Sequence, residues 1–299
     1  MTSPLPNKRI VLLSSSLSYR SDAFKDAART LGLEVVQGLD MPPPLAEYWH
    51  TTLPIDFKAP QQAAQSIFNF AAHAPVAAII PVDDGATVIA ALASEMLDLP
   101  FNSPDAAYTA RNKHRMRQAL AAAGVPSPRF QLFTVDDDPS AIAQRVTYPC
   151  VVKPLMLSGS QGVIRADNAD EFMRAFQRTR RIVRYSGGEN DESVDREHIL
   201  VEEFIPGCEV ALEGILAHGQ LTVLSLFDKP DPLDGPFFEE TIYVMPSRLP
   251  QATQDAIVEC ATRACRALGL REGPIHAELR VNEHGPWIVE VAGRSIGGL

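Results

Sequence analysis

"PIHAELRVNEHGPWIVEVAGR", Pro274 to Arg294, alternates apolar and polar residues on either side of a short turn, the pattern of a half-buried β-hairpin. With Asn282 and Pro286 flanking a three-residue turn of Glu283, His284 and Gly285, Glu278 falls directly opposite Glu290. That register puts Ala277, Leu279, Val281, Trp287, Val289 and Val291 on one apolar face. The other face carries His276, Glu278, Arg280, Glu290 and Arg294. Two carboxylates about 5 Å apart repel by roughly 3 kcal/mol at an effective dielectric near 20, so something must neutralise them. A divalent ion bridged to phosphates is one answer, since magnesium takes one or two protein carboxylates together with phosphate oxygens and water. Pairing with Arg280 and Arg294 on a solvated face is the other.

Two stretches upstream bear on that choice. In "YPCVVKPLMLSGSQGV" a strand ends in Lys153 and runs into a loop of Ser158, Gly159, Ser160, Gln161 and Gly162. A Walker loop has its lysine after the glycines, so this is not one. Small residues still let backbone N–H groups turn toward phosphate oxygens beside a lysine charge, and a plain hairpin turn is the alternative. In "ILVEEFIPGCEVALEG" a strand ends in Glu202 and Glu203, turns at Pro206 and Gly207, and resumes with Glu209 and Glu213. Glu209 is placed to accept hydrogen bonds from ligand hydroxyls; a solvated hairpin explains the segment as well.

The N-terminal part alternates strands and helices. "RIVLLSSS" is followed by "SDAFKDAARTLG", whose Phe24, Ala27, Ala28 and Leu31 recur at helix spacing, and the alternation continues through "VAAIIPV" and "DGATVIAALASEMLDLP". This predicts an α/β domain with a Rossmann-like parallel sheet covered on both faces. The first turn, "SSSLSYR", has none of the glycines that a dinucleotide needs, which argues against NAD. "LPFNSPDAAYTA" marks a boundary, giving residues 1–108 and 109–299 as domains. "NKHRMRQALAAAGVPSP" is a helix with Asn112 as N-cap and Gly124 past its end. From there the pattern is α+β, with helices over about 169–181 and 251–268 and subdomains of about 109–204 and 205–299.

Composition narrows the partners. With 27 Lys and Arg against 37 Asp and Glu, the net charge is −10, which disfavours nucleic acid and anionic membranes. Any phosphate must be held by a local cluster. No apolar run reaches the ~18 residues of a membrane span, and the N-terminus lacks a signal-peptide core. The four cysteines form no C-x-x-C pair, and a reducing, cytoplasmic setting is expected. Cys260 and Cys265 read as buried structural residues.

Taken in order, a lysine-bearing helix, a strand lysine with a small-residue loop, a hinge and a carboxylate hairpin resemble the ATP-grasp superfamily of carboxylate–amine ligases. The resemblance implies an α+β ATP-grasp domain behind the Rossmann-like one, with ATP and Mg2+ as cofactors. Lys113 and Lys153 would contact nucleotide phosphates, and Ser158, Gly159, Ser160 and Gly162 would belong to a loop closing over them. The backbone of Glu202, Glu203, Phe204 and Ile205 would read adenine, with Glu209 on the ribose. Glu278 and Glu290 would hold magnesium, and His276, Arg294 and Lys153 would act at the transferred phosphoryl group. The implied reaction phosphorylates the carboxylate of an amino acid or similar small molecule and passes the acyl group to an amine. A nucleotide-binding protein without turnover and a biotin-carboxylase-like enzyme share the same nucleotide site, and a homodimer is the commonest assembly for such enzymes.

Two departures qualify the resemblance. Ala292 stands where the family often has asparagine, so one metal ligand is missing. Relatives commonly continue after "GRSIGG", so the chain is expected to be either naturally short or shortened at its C-terminus. Among secondary candidates, Asp228, Lys229, Glu239 and Glu240 in the proline-rich 228–250 segment are placed to line an acceptor pocket. Arg20 is either a receptor for a substrate carboxylate or a surface residue. His50, His73, His218 and His284 read as loop or surface residues.

Overall fold

The computed structural model describes residues 8–16, 18–41, 45, 53–186, 194–239 and 241–297; His50 and Glu240 lie outside these. Strands β1 (Arg9–Ser15), β2 (Glu34–Asp40), β3 (Leu53–Ile55) and β4 (Ala78–Pro81) form a parallel sheet in the order β3-β2-β1-β4. Helices α1 (Ser21–Thr30), α2 (Pro60–His73) and α3 (Asp84–Met96) accompany it. Ala63, Ala64, Ile67 and Ala71 recur on one side of α2 and join Val11, Leu13, Ile55 and Ile89 in the first core. The C-terminal ends of β1 and β4 carry Ser15, Asp83 and Asp84 to one edge of the sheet, where open α/β sheets present their ligand-binding loops.

Helices α4 (Pro104–Arg111) and α5 (Lys113–Ala122) follow; α5 has its expected Asn112 cap, while α4 lies in the segment read as a boundary. The Ser103 hydroxyl accepts from the Ala106 N–H, and the Asn112 side chain accepts from the Arg115 N–H. The prolines near 100–104 therefore start a helix as much as they mark a boundary. Ala106, Ala110, Met116 and Leu120 pack into the core of the last sheet, so α5 keeps company with the C-terminal strands although it precedes the middle ones.

The middle sheet, β5 (Phe130–Thr134), β6 (Cys150–Pro154), β7 (Ile164–Ala166) and β8 (His198–Glu203), is antiparallel in the order β5-β8-β6-β7. The short helix α6 (Pro139–Ala143), which the sequence reading did not identify, lies between β5 and β6; α7 (Ala169–Tyr185) buries Phe172 and Phe176 against this sheet. The last sheet is β9 (Cys208–Ala217), β10 (Gln220–Lys229), β11 (Gly273–Asn282) and β12 (Gly285–Ala292), antiparallel in the order β10-β9-β11-β12, with α8 (Gln251–Leu268) against it. Cys260 and Cys265 both sit in its core. Among the described residues no helix is long and apolar enough to cross a membrane.

The hairpin register differs from expectation in two places that cancel. Asn282 pairs with Gly285 across a two-residue turn, and a register shift after Glu278 inserts one residue on β12, restoring Glu278 opposite Glu290. The inserted residue changes what faces the core: Ile288 is fully buried opposite Leu279, while Trp287 and Val289 are only half-buried. Gly207, at the β8–β9 turn, has φ +126°, and a Cβ there would lie 2.2 Å from the Val281 carbonyl oxygen. Glycine is required at this crossing.

Candidate functional site

A cleft of about 1170 Å³ opens where the three sheets meet. Its lining includes every residue assigned from the sequence to nucleotide, metal or phosphoryl group, from Lys113 to Arg294. Lys153 comes from the end of β6, Glu202 to Ile205 from the end of β8, and Glu209 from the start of β9. The glycine-rich loop between β6 and β7 forms the open wall. Gly159, Ser160 and Gly162 have φ of 62°, 54° and 73°, so the backbone bends through left-handed conformations there. The Thr179 hydroxyl on α7 donates to the Gly162 carbonyl and fixes the end of the loop.

The cations of the cleft are held by carboxylates. Lys113 Nζ donates to the Leu157 carbonyl at 2.8 Å and lies 3.3 Å from Glu290 Oε1. Lys153 Nζ is 2.6 Å from Glu202 Oε2, and Arg117 Nε is 2.7 Å from Glu202 Oε1. Burial lowers the Lys153 pKa, and it would raise that of Glu202, but Arg117 and Lys153 outweigh it and hold the Glu202 carboxyl below its ordinary value. Glu203 instead faces outward, paired with Arg129.

Lysines contact the two glutamates directly, Lys113 at Glu290 and Lys229 at Glu278, while Arg294 acts on both carboxylates through its nearby charge. Glu278 Oε1 accepts from Lys229 Nζ at 2.8 Å and lies 3.4 Å from His276 Nε2. Lys229 Nζ also donates to Glu209 Oε1 at 2.9 Å, so one buried ammonium spans the ribose and metal candidates. Burial and the nearby Glu278 raise the Glu209 pKa despite Lys229. His276 Nδ1 is 2.5 Å from Glu213 Oε1; burial alone would lower its pKa, but its bonds to Glu213 and Glu278 raise it to about 9, so the ring is a cation at neutral pH. Arg280 is directed at the Ile205 and Leu233 carbonyls, with Glu209 at 3.5 Å.

Arg294 reaches the first domain. Its Nε and Nη2 bond both oxygens of Asp84, at 2.8 and 2.6 Å. Arg20 is not a surface residue: it is buried in the wall of the cleft, and its guanidinium bonds the Val82 and Ile296 carbonyls and Asp83. Together with Tyr19, which donates to the Gly297 carbonyl, it straps segment 294–297 against the parallel sheet. Of the 228–250 candidates, Glu239 lines the cleft beside Phe238 and Tyr243, whereas Asp228 caps the backbone at Arg248. His218 and His284 are exposed, as is His73.

Arg117, Glu213 and Asp84 were not assigned from the sequence to this site, and Lys229, expected in an acceptor pocket, instead bridges Glu209 and Glu278. Arg117 lies four residues after Lys113, on the same helical face. Lys229 pairs with Glu209 in the β9–β10 register. Asp84 follows a parallel strand at its C-terminal end, where such sheets bind ligands.

Among the described residues no group of three His, Cys, Asp or Glu side chains forms a ready-made metal cage. The two hard carboxylates of Glu278 and Glu290 suit a cation that completes its shell with water and phosphate oxygens, which is magnesium's habit.

Residues 146–299 match the ATP-grasp domain family, and residues 25–101 match the ATP-grasp N-terminal domain. Dapdiamide A synthase of Enterobacter agglomerans is 28% identical over 226 residues, covering 75% of this chain and 51% of that protein. The alanine–anticapsin ligase of Bacillus subtilis (strain 168) is 28% identical over 220 residues, covering 69% and 46%. The crystal structure of an L-amino acid ligase from Bacillus licheniformis superposes with a TM-score of 0.77 at 28% identity, covering 96% of this chain and 67% of that one. The chain thus spans about half the length of the curated relatives it matches. Its two family matches, its three sheets and the cleft between them make it a member of the ATP-grasp family.

Proposed function

We propose that this chain carries the ATP site of a ligase that joins the carboxylate of an amino acid to an amine through an acyl phosphate. The observation that carries the reading is the pair Glu278–Glu290, directly opposed on a hairpin that shares one cleft with Lys113, Lys153 and the loop 158–162. The relatives named for joining amino acids support the substrate class.

In this reading the loop 158–162 closes over the phosphates, Lys113 and Lys153 orient them, the backbone of 202–205 meets adenine, and Glu209 accepts from the ribose. Glu278 and Glu290 hold magnesium, which when bound screens the phosphate oxygens from an incoming carboxylate. That carboxylate oxygen attacks the γ-phosphorus and ADP departs; the amine then attacks the acyl carbon and phosphate leaves. Cationic His276 and Arg294, each held by a carboxylate, stabilise the charge that spreads over the transferring oxygens. Free thiols at all four cysteines are consistent with a cytoplasmic setting.

The test is ADP release with Mg-ATP across pairs of amino acids, on wild type and Glu290→Gln. Turnover that needs both a carboxylate and an amine, and that the substitution abolishes, is the expected result. A second reading, nucleotide binding without turnover, draws on Ala292, a buried methyl at the position of a further metal ligand. It predicts stabilisation by Mg-ATP with no ADP release for any pair. Bicarbonate-dependent ADP release would instead favour the biotin-carboxylase-like alternative.

A further inference from the structure

Behind the loop 158–162 lie three ionisable side chains from three elements: Arg117 of α5, Lys153 of β6 and Glu202 of β8. Their side chains are 1%, 7% and 2% exposed. Both cations converge on the one carboxylate, Arg117 through Nε at 2.7 Å and Nη2 at 3.2 Å, Lys153 at 2.6 Å. Arg117 Nη2 also donates to the Val289 carbonyl at 2.5 Å, beside Glu290. Lys153 and Glu202 line the cleft, but Arg117 does not.

The sum is two positive charges against one negative, a net +1 in a chain of net −10. A buried charge in excess is costly to maintain, and folding tolerates it where a ligand of opposite sign completes the balance. Without Arg117, Glu202 and Lys153 would form a closed neutral pair with nothing to offer an anion. We propose that Arg117 is a positioning residue for the nucleotide phosphates: by sharing Glu202 with Lys153 it leaves the Lys153–Glu202 pair in the cleft wall with a net positive charge to offer. The proposal rests on the ATP reading above.

Two roles compete for Arg117. As a structural clamp of α5 to β8 and β12 it would affect all ligands alike; as a source of local charge it affects phosphates alone. Calorimetric titration with Mg-ADP and with adenosine separates them. Arg117→Met is expected to weaken Mg-ADP by on the order of 10- to 100-fold, the effect of one unit charge at short range with an effective dielectric near 20, and to leave adenosine unchanged. Arg117→Lys restores most of the loss.

Unchanged Mg-ADP binding by Arg117→Met, or an equal loss for adenosine, overturns the proposal. Should Arg117→Met not fold, Arg117→Lys decides, since it keeps the charge while losing the two-point grip on Glu202: a tenfold or greater loss of Mg-ADP binding there overturns the proposal. Absence of Mg-ATP and Mg-ADP binding by wild type would instead overturn the ATP reading itself.

Discussion

Arg294 grips both oxygens of Asp84, joining the strand end that follows Glu290 to the first turn of a helix 210 residues earlier in the chain. Burial pushes the Asp84 carboxyl up, but Arg294, with Lys113 and Arg111 nearby, outweighs it and holds the pKa below its ordinary 3.8. A depressed carboxyl contributes stability that is complete above its unfolded value and lost as pH falls through the lower folded one. Asp84→Asn is therefore expected to lose about 2 kcal/mol near neutrality and to show a shallower acid limb below about pH 4, checked by chemical denaturation across pH.

The opposed glutamates predict an activity loss without a matching stability loss. Glu290→Gln trades like-charge repulsion for one part-exposed pairing with Lys113, so its thermal midpoint should move little, whereas Glu278→Gln also gives up Lys229 and His276 and should melt somewhat lower. Turnover should fall at least about 100-fold, and chelation of divalent ions should reproduce that loss in wild type. Parallel melting and ADP-release assays give the comparison.

Gly207 is expected to tolerate no side chain. A methyl would meet the Val281 carbonyl at 2.2 Å on rigid backbone, at a φ that L residues rarely adopt. Gly207→Ala should cost about 2–4 kcal/mol, whereas Gly159→Ala, with open space around it, should cost about 1 kcal/mol from backbone conformation alone. Urea denaturation of the two variants tests the contrast.

The cysteines should divide by burial. Burial pushes the thiols of Cys150, Cys260 and Cys265 to about 12, 11 and 12, while Cys208 is exposed. Native protein treated with iodoacetamide at pH 8 should carry one label, at Cys208, and four after denaturation, as read by mass spectrometry.

The parts of this site legible in the sequence were those that depend on spacing within one or two elements. The opposition of Glu278 and Glu290 is an example, although it came through a turn one residue too long and a bulge left out. A bulge leaves no compositional mark beyond the register it creates, so Ile288 could not be told from Val289 as the core residue. Charge partnerships across elements were not legible. Polar-face alternation offered Arg280 and Arg294 as the alternative to a metal at the glutamates; packing of β9 against β10 and β11 brought Lys229 to Glu278 and gave Arg294 its direct bonds to Asp84. Likewise the burial of Arg20 was not legible, because its partners lie more than 60 residues away.

The three apolar cores touch through a polar cleft and do not merge into one. Each is expected to unfold as its own cooperative unit, while the residues that line the cleft are drawn from the elements around all three. Heat should therefore disassemble the workshop before it melts the walls: catalytic competence ought to vanish when the weakest of the three units opens, at a temperature where most ellipticity survives, and Mg-ATP, by touching every unit at once, should merge the separate transitions into one.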